Sequence, residues 1–241
     1  MKELLMILFA SVNVLAQTEI NKSLKVNESQ SIEIQFDYPE LISISTWDRA
    51  EMQITGTVLI NQGENDDAFE LDISENAQTI KIENRIKNLK NLPKRITVME
   101  GEQKIMFPSK EAFEEYKKVN GQPHGGVSYG VDLDILVQIK VPRGTKTSVT
   151  STYGMVEVTN FDGPIVVVAK YGGVDATLSE ALIGKLSAET NYGEIYSNLD
   201  AKLSSSFVAE KDFHTSLNVN LGKGPAYSFI SNYGNVYLRK K

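Results

Sequence analysis

The sequence predicts an all-β chain: a β-helix-like solenoid of coils about 20 residues long, with an N-terminal β cap and one short helical insertion. Two observations carry this. Tyr-Gly recurs as Tyr153-Gly154, Tyr171-Gly172, Tyr192-Gly193 and Tyr233-Gly234, and two residues beyond each glycine stands a branched apolar residue: Val156, Val174, Ile195, Val236. The steps between these tyrosines are 18, 21 and 41 residues, and a degenerate copy at Phe213-His214 divides the last into 21 and 20. The second observation is that positions at fixed offsets from the aromatic residue fill alike. Six before it stand Thr147, Ile165, Leu186, Phe207 and Tyr227; four before it, Val149, Val167, Ala188, Ala209 and Phe229. Three after it stand Val156, Val174, Ile195, Ser216 and Val236; five after it, Val158, Ala176, Ser197, Asn218 and Leu238. Columns two residues apart have the periodicity of strands. The glycine marks a corner, since only glycine takes positive φ freely. Stacked coils of two short strands bury together what one coil cannot bury alone.

In chain order, Met1 to Ala16 reads as a secretory signal, with Lys2 ahead of an apolar run and small residues at Val14 and Ala16. The expected mature chain starts at Gln17. The chain has no cysteine, so a lipoprotein anchor is not expected and no disulfide reinforces the fold. No second apolar run is long enough to span a membrane, and no apolar anchor ends the chain. The net charge is −6 without a basic cluster, which argues against nucleic acid as a partner.

Residues 17–86 form the N-terminal β-strand region, either early coils or the cap. Its strands are expected at Ser31–Phe36, Leu41–Thr46, Glu51–Ile60, Phe69–Ser74 and Thr79–Asn84, each alternating apolar and polar residues. Trp47 is expected to cover a core end. The polar turn from Gly63 to Asp67 offers oxygens but lacks the ligand spacing of a calcium loop.

Residues 87–129 break the pattern and are read as an insertion. Ser109 caps a helix from Lys110 to Lys118, whose apolar face is Ala112, Phe113 and Tyr116. As an excursion, the insertion should leave the strands on either side of it as neighbours. From residue 130 to 241 the solenoid follows. It opens on the cleanest strand, Val131 to Val141, where Leu133, Ile135, Val137, Ile139 and Val141 share one face. The closing Arg239-Lys240-Lys241 would blunt an exposed last strand.

The run Ile139-Lys140-Val141-Pro142-Arg143-Gly144, followed by Tyr-Gly-x-Val-x-Val at Tyr153 to Val158, resembles exported bacterial adhesin-like proteins with repeated β-strands. Ile44-Ser45-Thr46-Trp47-Asp48 is similar to the front end of that group. The resemblance implies a β-helix-like fold and brings no catalytic residues. The insertion at 87–129 and the Phe213 copy depart from it.

One column offers chemistry. Four residues after each aromatic come Glu157, Asp175, Tyr196, Leu217 and Tyr237, expected to form a stripe facing water. On adjacent coils Glu157 and Asp175 would lie roughly 5 Å apart, near the spacing of a retaining glycosidase pair. No arginine or histidine is expected to accompany the pair. His124 and His214 give no metal-ligand spacing, and His214 is expected at the surface. No phosphate-binding loop is present. The expected function is therefore a non-enzymatic adhesin-like module at the bacterial cell envelope, in the periplasm or at the cell surface. It would bind a protein or glycan through Glu157, Asp175, Tyr196 and Tyr237, without cofactor or metal. A carbohydrate-active enzyme, glycosidase or lyase, on a β-helix scaffold is the alternative.

Overall fold

From Ser31 to Phe36 and from Leu41 to Trp47 every second residue is buried, as a strand with one face on a core requires. The computed structural model describes residues 18–200, 207–211 and 213–241, with 207–211 described by its backbone alone. The leader read at Met1–Ala16 lies outside the described residues.

The first strands are β1 (Thr18–Lys25), β2 (Ser31–Phe36), β3 (Leu41–Trp47), β4 (Glu51–Ile60), β5 (Phe69–Glu75) and β6 (Thr79–Ile86). Then come β7 (Arg95–Glu100), β8 (Gln103–Phe107), helix α1 (Lys110–Asn120), β9 (Val127–Gly130) and β10 (Leu133–Pro142). The repeats supply β11 (Thr147–Ser151), β12 (Met155–Thr159), β13 (Ile165–Ala169), β14 (Val174–Leu178), β15 (Lys185–Thr190) and β16 (Ile195–Ser197). The chain closes with β17 (Phe207–Lys211), β18 (His214–Asn220), β19 (Ala226–Ser231) and β20 (Val236–Lys240).

These strands build two large mixed sheets and one small one. The eight-stranded sheet runs β1-β4-β10-β3-β12-β14-β20-β16, and the nine-stranded sheet runs β17-β18-β15-β19-β13-β11-β2-β6-β5. Their inner faces share one core. Ile32, Ile34 and Phe36 of the nine-stranded sheet join Ile42, Ile44, Ile54 and Ile139 of the eight-stranded sheet in a single buried cluster. Each fully buried isoleucine contributes about 1.5–3 kcal/mol of transfer free energy.

The fold is therefore sandwich-like, which corrects the expected β-solenoid. In a solenoid, coils stack in chain order. Here β19 lies between β13 and β15, and β20 lies between β14 and β16. The last repeat is thus inserted between the second and third. Antiparallel pairs, β1 with β4, β4 with β10, β5 with β6 and β15 with β18, make both sheets mixed. The copy at Phe213 is no coil, because β17 and β18 are antiparallel and set Phe207 opposite Asn218. Nor do the N-terminal strands form a cap. β3 pairs with β12, and β2 pairs with β11, so they extend the sheets that the repeats build.

The columns nevertheless meet in register. Thr147, Ile165, Tyr227 and Leu186 are successive partners across the nine-stranded sheet. Ile42, Val156, Val174, Val236 and Ile195 are successive partners across the eight-stranded sheet. The repeat specifies which residues share a row, and it leaves the order of the strands free.

Between β6 and β10, strands β7 to β9 form a three-stranded sheet covered by α1. Ile96, Val98, Phe107 and Phe113 form its own small core, with Ala112 and Tyr116 packed against it. The Ser109 hydroxyl accepts a hydrogen bond from Ala112 N at 3.2 Å, capping the helix. The strands flanking this segment are not neighbours: β6 belongs to the nine-stranded sheet and β10 to the eight-stranded one.

Two smaller expectations, for Trp47 and for the last strand, are also corrected, and the polar turn's carboxylate finds its partners. Trp47 does not cover a core end. It is half-buried on the outward side of β3, its Nε1 donates to Glu51 O at 2.7 Å, and Arg49 lies 4.7 Å from its ring. The polar turn spends its Asp66 carboxylate on the Ile60 and Thr18 backbone N–H groups. The last strand is not an exposed edge, since β20 has a partner on each side.

Candidate binding surface

Where each repeat passes from the nine-stranded to the eight-stranded sheet, the chain turns a Tyr-Gly corner. Each corner is tied to the next by the backbone. Tyr153 N donates to Asp37 O at 3.1 Å, Tyr171 N to Thr152 O at 3.0 Å, Tyr233 N to Lys170 O at 3.2 Å and Tyr192 N to Asn232 O at 3.0 Å. Buried hydroxyls two residues before the tyrosine complete the tie. Ser231 Oγ donates to Gly172 O at 2.8 Å, and Thr190 Oγ1 donates to Gly234 O at 2.9 Å. Both hydroxyls also accept from a glycine N–H, of Gly234 and Gly193 respectively.

The corner glycines are required by this close approach more than by positive φ, which among them only Gly154 shows. A Cβ on Gly172 would stand 1.7 Å from Gly154 O, and one on Gly234 would stand 2.3 Å from Gly172 O. No side chain fits between these backbones.

The stacked corners align the aromatic side chains into one ladder: Tyr38, Tyr153, Tyr171, Tyr233, Tyr192, Phe213. Ring centroids are 5.2, 5.0, 5.1, 5.1 and 6.0 Å apart in that order, and planes within the tyrosine run lie within 13° of parallel. The rings are exposed, from 44% for Tyr153 to 78% for Phe213, with Tyr38 half-buried. Among the described residues, only Tyr227 and Tyr237 hydroxyls bond to protein. The ladder's tyrosine hydroxyls have no protein partner.

A polar row runs beside the rings: Asp37, Thr152, Lys170, Asn232, Asn191 and His214. Thr152 Oγ1 donates to Asp37 Oδ1 at 2.9 Å, and His214 Nδ1 lies 3.0 Å from Asn191 Oδ1. His214 lies at the surface, partly covered, against Asn191 and Glu189. Asp37 and Lys170 leave the row close to neutral.

The residues that the sequence singled out lie on the outer face of the eight-stranded sheet. Their row runs Ser43, Glu157, Asp175, Tyr237, Tyr196 across neighbouring strands. Tyr196 and Tyr237 stack at 5.2 Å. Leu217 does not join them; it pairs with Ala188 in the nine-stranded sheet and is buried.

Glu157 and Asp175 are partners in adjacent strands, yet each is committed elsewhere. Glu157 Oε2 accepts from Ser43 Oγ at 3.0 Å. Arg239 grips Asp175 with both Nε and Nη2, at 2.7 to 2.9 Å. The hydrogen bonds that Arg239 donates to Asp175, then the Asp175 charge, raise the Arg239 pKa above its ordinary value. An arginine does accompany the pair, contrary to expectation. A bidentate ion pair on an open sheet face gives no acid and nucleophile poised around a glycosidic bond. No group of three acidic or histidine side chains that could hold a metal occurs among the described residues.

Sequence reasoning missed two parts of this surface. Tyr38 is followed by Pro39 in place of glycine, and one extra residue separates it from Ile42. Its upstream columns, Ile32 and Ile34, match the repeats and carry the signal. Arg239 was hidden because it sits two residues beyond Tyr237 and reaches Asp175 diagonally.

No protein-family model matches the chain, and no curated protein matches it. Among solved structures, the fold is similar to that of a putative cell adhesion protein from Clostridium sporogenes. The TM-score is 0.50 at 12% identity, over 94% of this chain and 100% of that one. A putative adhesin from Bacteroides fragilis gives a TM-score of 0.30 at 10% identity, over 94% of this chain and 99% of that one, and carries no argument. At such identities the likeness concerns the fold alone.

Proposed function

We propose that this chain is an exported, non-enzymatic, adhesin-like module that binds a partner at the bacterial cell envelope. The aromatic ladder is its contact surface. One observation carries this reading: a continuous row of six stacked rings, five of them exposed, whose tyrosine hydroxyls have no protein partner, held on corners that the backbone fixes. Large exposed aromatic surface on a rigid scaffold marks interaction sites. The outward row of Glu157, Asp175, Tyr237 and Tyr196 lies two pleats along from the ladder and joins it as a second contact. The likeness of fold to a putative cell adhesion protein supports the same reading, as does the signal-like run read at Met1–Ala16, which fits an exported protein.

The test is sedimentation of purified protein with isolated bacterial envelopes. Replacing Tyr171 and Tyr233 by alanine should abolish co-sedimentation while the protein stays folded. Full retention by that variant would remove the ladder from the function.

A further inference from the structure

The ladder's geometry also selects among ligands, and this inference rests on the binding role proposed above. We infer that the ladder takes a neutral β-linked polysaccharide, laid along the row of tyrosine hydroxyls and held by hydrogen bonds to ring edges, not by stacking on ring faces.

Stacking limits which surfaces the rings have left. Tyr153, Tyr171, Tyr233 and Tyr192 each have a ring on both faces. The usual grip of an aromatic face on a sugar is therefore blocked along the whole inner ladder. What the rings present is their hydroxyl-bearing edges. A phenol hydroxyl both donates and accepts, so a row of them suits a ligand whose own groups do both. Sugar hydroxyls are such groups.

Spacing selects among extended polymers. The inner rings repeat at 5.0 to 5.1 Å, close to the distance of ~4.8 Å between strands. Rings within 13° of parallel set their hydroxyls out at close to the same step. An extended peptide advances ~3.3 Å per residue, and a polyproline helix ~3.1 Å, so both fall out of step within a few residues. Pyranose rings joined by equatorial β-linkages advance by close to one strand spacing per sugar and stay in step. Axially linked α-chains coil and do not.

Charge selects as well. The polar row beside the rings offers amides and hydroxyls at Thr152, Asn232 and Asn191, with Asp37 offset by Lys170. The whole chain carries −6. That suits an uncharged polymer and repels a polyanion.

The experiment uses the full chain and chitin oligosaccharides of increasing length, with α-linked glucose oligosaccharides as control, read by calorimetry. Affinity should rise with chain length until one sugar faces each inner tyrosine, then level off, and the α-linked series should not bind. Replacing Tyr171 and Tyr233 by phenylalanine keeps the stack and removes two hydroxyls, and should weaken chitin binding about tenfold. Binding that survives this change undiminished, equal binding of the α-linked series, or no chitin binding at all would each overturn the inference. In any of those cases, loss of envelope co-sedimentation in the Tyr171→Ala, Tyr233→Ala variant would leave the ladder as the contact surface for another ligand. Retained co-sedimentation would remove both readings.

Discussion

Tyr233 stacks on Tyr171 at 5.1 Å with the planes 8° apart, although Tyr192 comes between them in sequence. Tyr192 lies on the far side of Tyr233, again at 5.1 Å. The ladder is thus ordered by strand pairing and not by chain order.

Each inner tyrosine therefore stabilises the fold through its ring and not through its hydroxyl. Tyr171 stacks with two neighbours, and such pairs contribute about 0.5–1.5 kcal/mol each. Tyr171→Ala should lower unfolding free energy by about 1–3 kcal/mol in urea titration, whereas Tyr171→Phe should change it by less than about 0.5 kcal/mol. A large loss in the phenylalanine variant would mean that the hydroxyl has a structural partner.

The glycines are a separate requirement. Gly234→Ala would set a Cβ 2.3 Å from Gly172 O, a backbone atom held in the corner stack. It should cost about 1–3 kcal/mol or more. Gly126→Ala meets nothing within 4 Å and should leave the melting temperature unchanged. Equal melting temperatures for the two variants would show that the corners are looser than described.

Much of this was legible in the sequence, and the limits have physical causes. The columns through Val156, Val174 and Val236 were readable because a strand's period of two fixes which face each residue takes. The order of strands was not readable, because rows filled with similar residues can be stacked in more than one order without exposing apolar surface. The repeat at Phe213 misled because its spacing fits a coil while its strands form an antiparallel pair. Glu157 and Asp175 came together as read, but the Arg239 that changes their chemistry approaches diagonally, and no single column contains it. The ladder was visible only as a repeated turn, since its meaning as a surface depends on Tyr38 and Tyr233 entering the same stack.

Burial by row position gives a further contrast. Val236 is fully buried between Val174 and Ile195, whereas Ile195 lies on the edge strand and is only half-buried. Val236→Asp should destabilise by more than about 4 kcal/mol, or prevent folding, by burying an unpaired carboxylate. Ile195→Asp should cost clearly less in the same thermal melts. The reverse order would exchange the edge and interior strands.

Tyr227 supplies the pH dependence. Its hydroxyl is buried and donates to Phe161 O at 2.7 Å, and burial, then the nearby Asp162 charge, pushes its pKa up to about 12. A raised phenol pKa means that the folded state disfavours the phenolate. Stability should therefore hold below the ordinary phenol value of about 10 and fall as the pH rises from there towards about 12. In spectrophotometric titration of the folded protein, Tyr227→Phe should remove a phenol ionisation step at a pH of about 12. An unchanged step in the variant would show that Tyr227 is not its source.

The insertion of the last repeat between the second and third underlies the ladder and the surface proposed on it, and disulfide formation tests it directly. The chain has no cysteine, so introduced pairs are read without background. Val166 pairs with Ser228 across neighbouring parallel strands, close enough for a disulfide. Stacking in chain order would instead set Val166 beside Ser187. Under mild oxidation the Val166→Cys, Ser228→Cys protein should form an intramolecular disulfide, and the Val166→Cys, Ser187→Cys protein should not. A disulfide in the second protein and none in the first would contradict the strand order and return the chain to a solenoid.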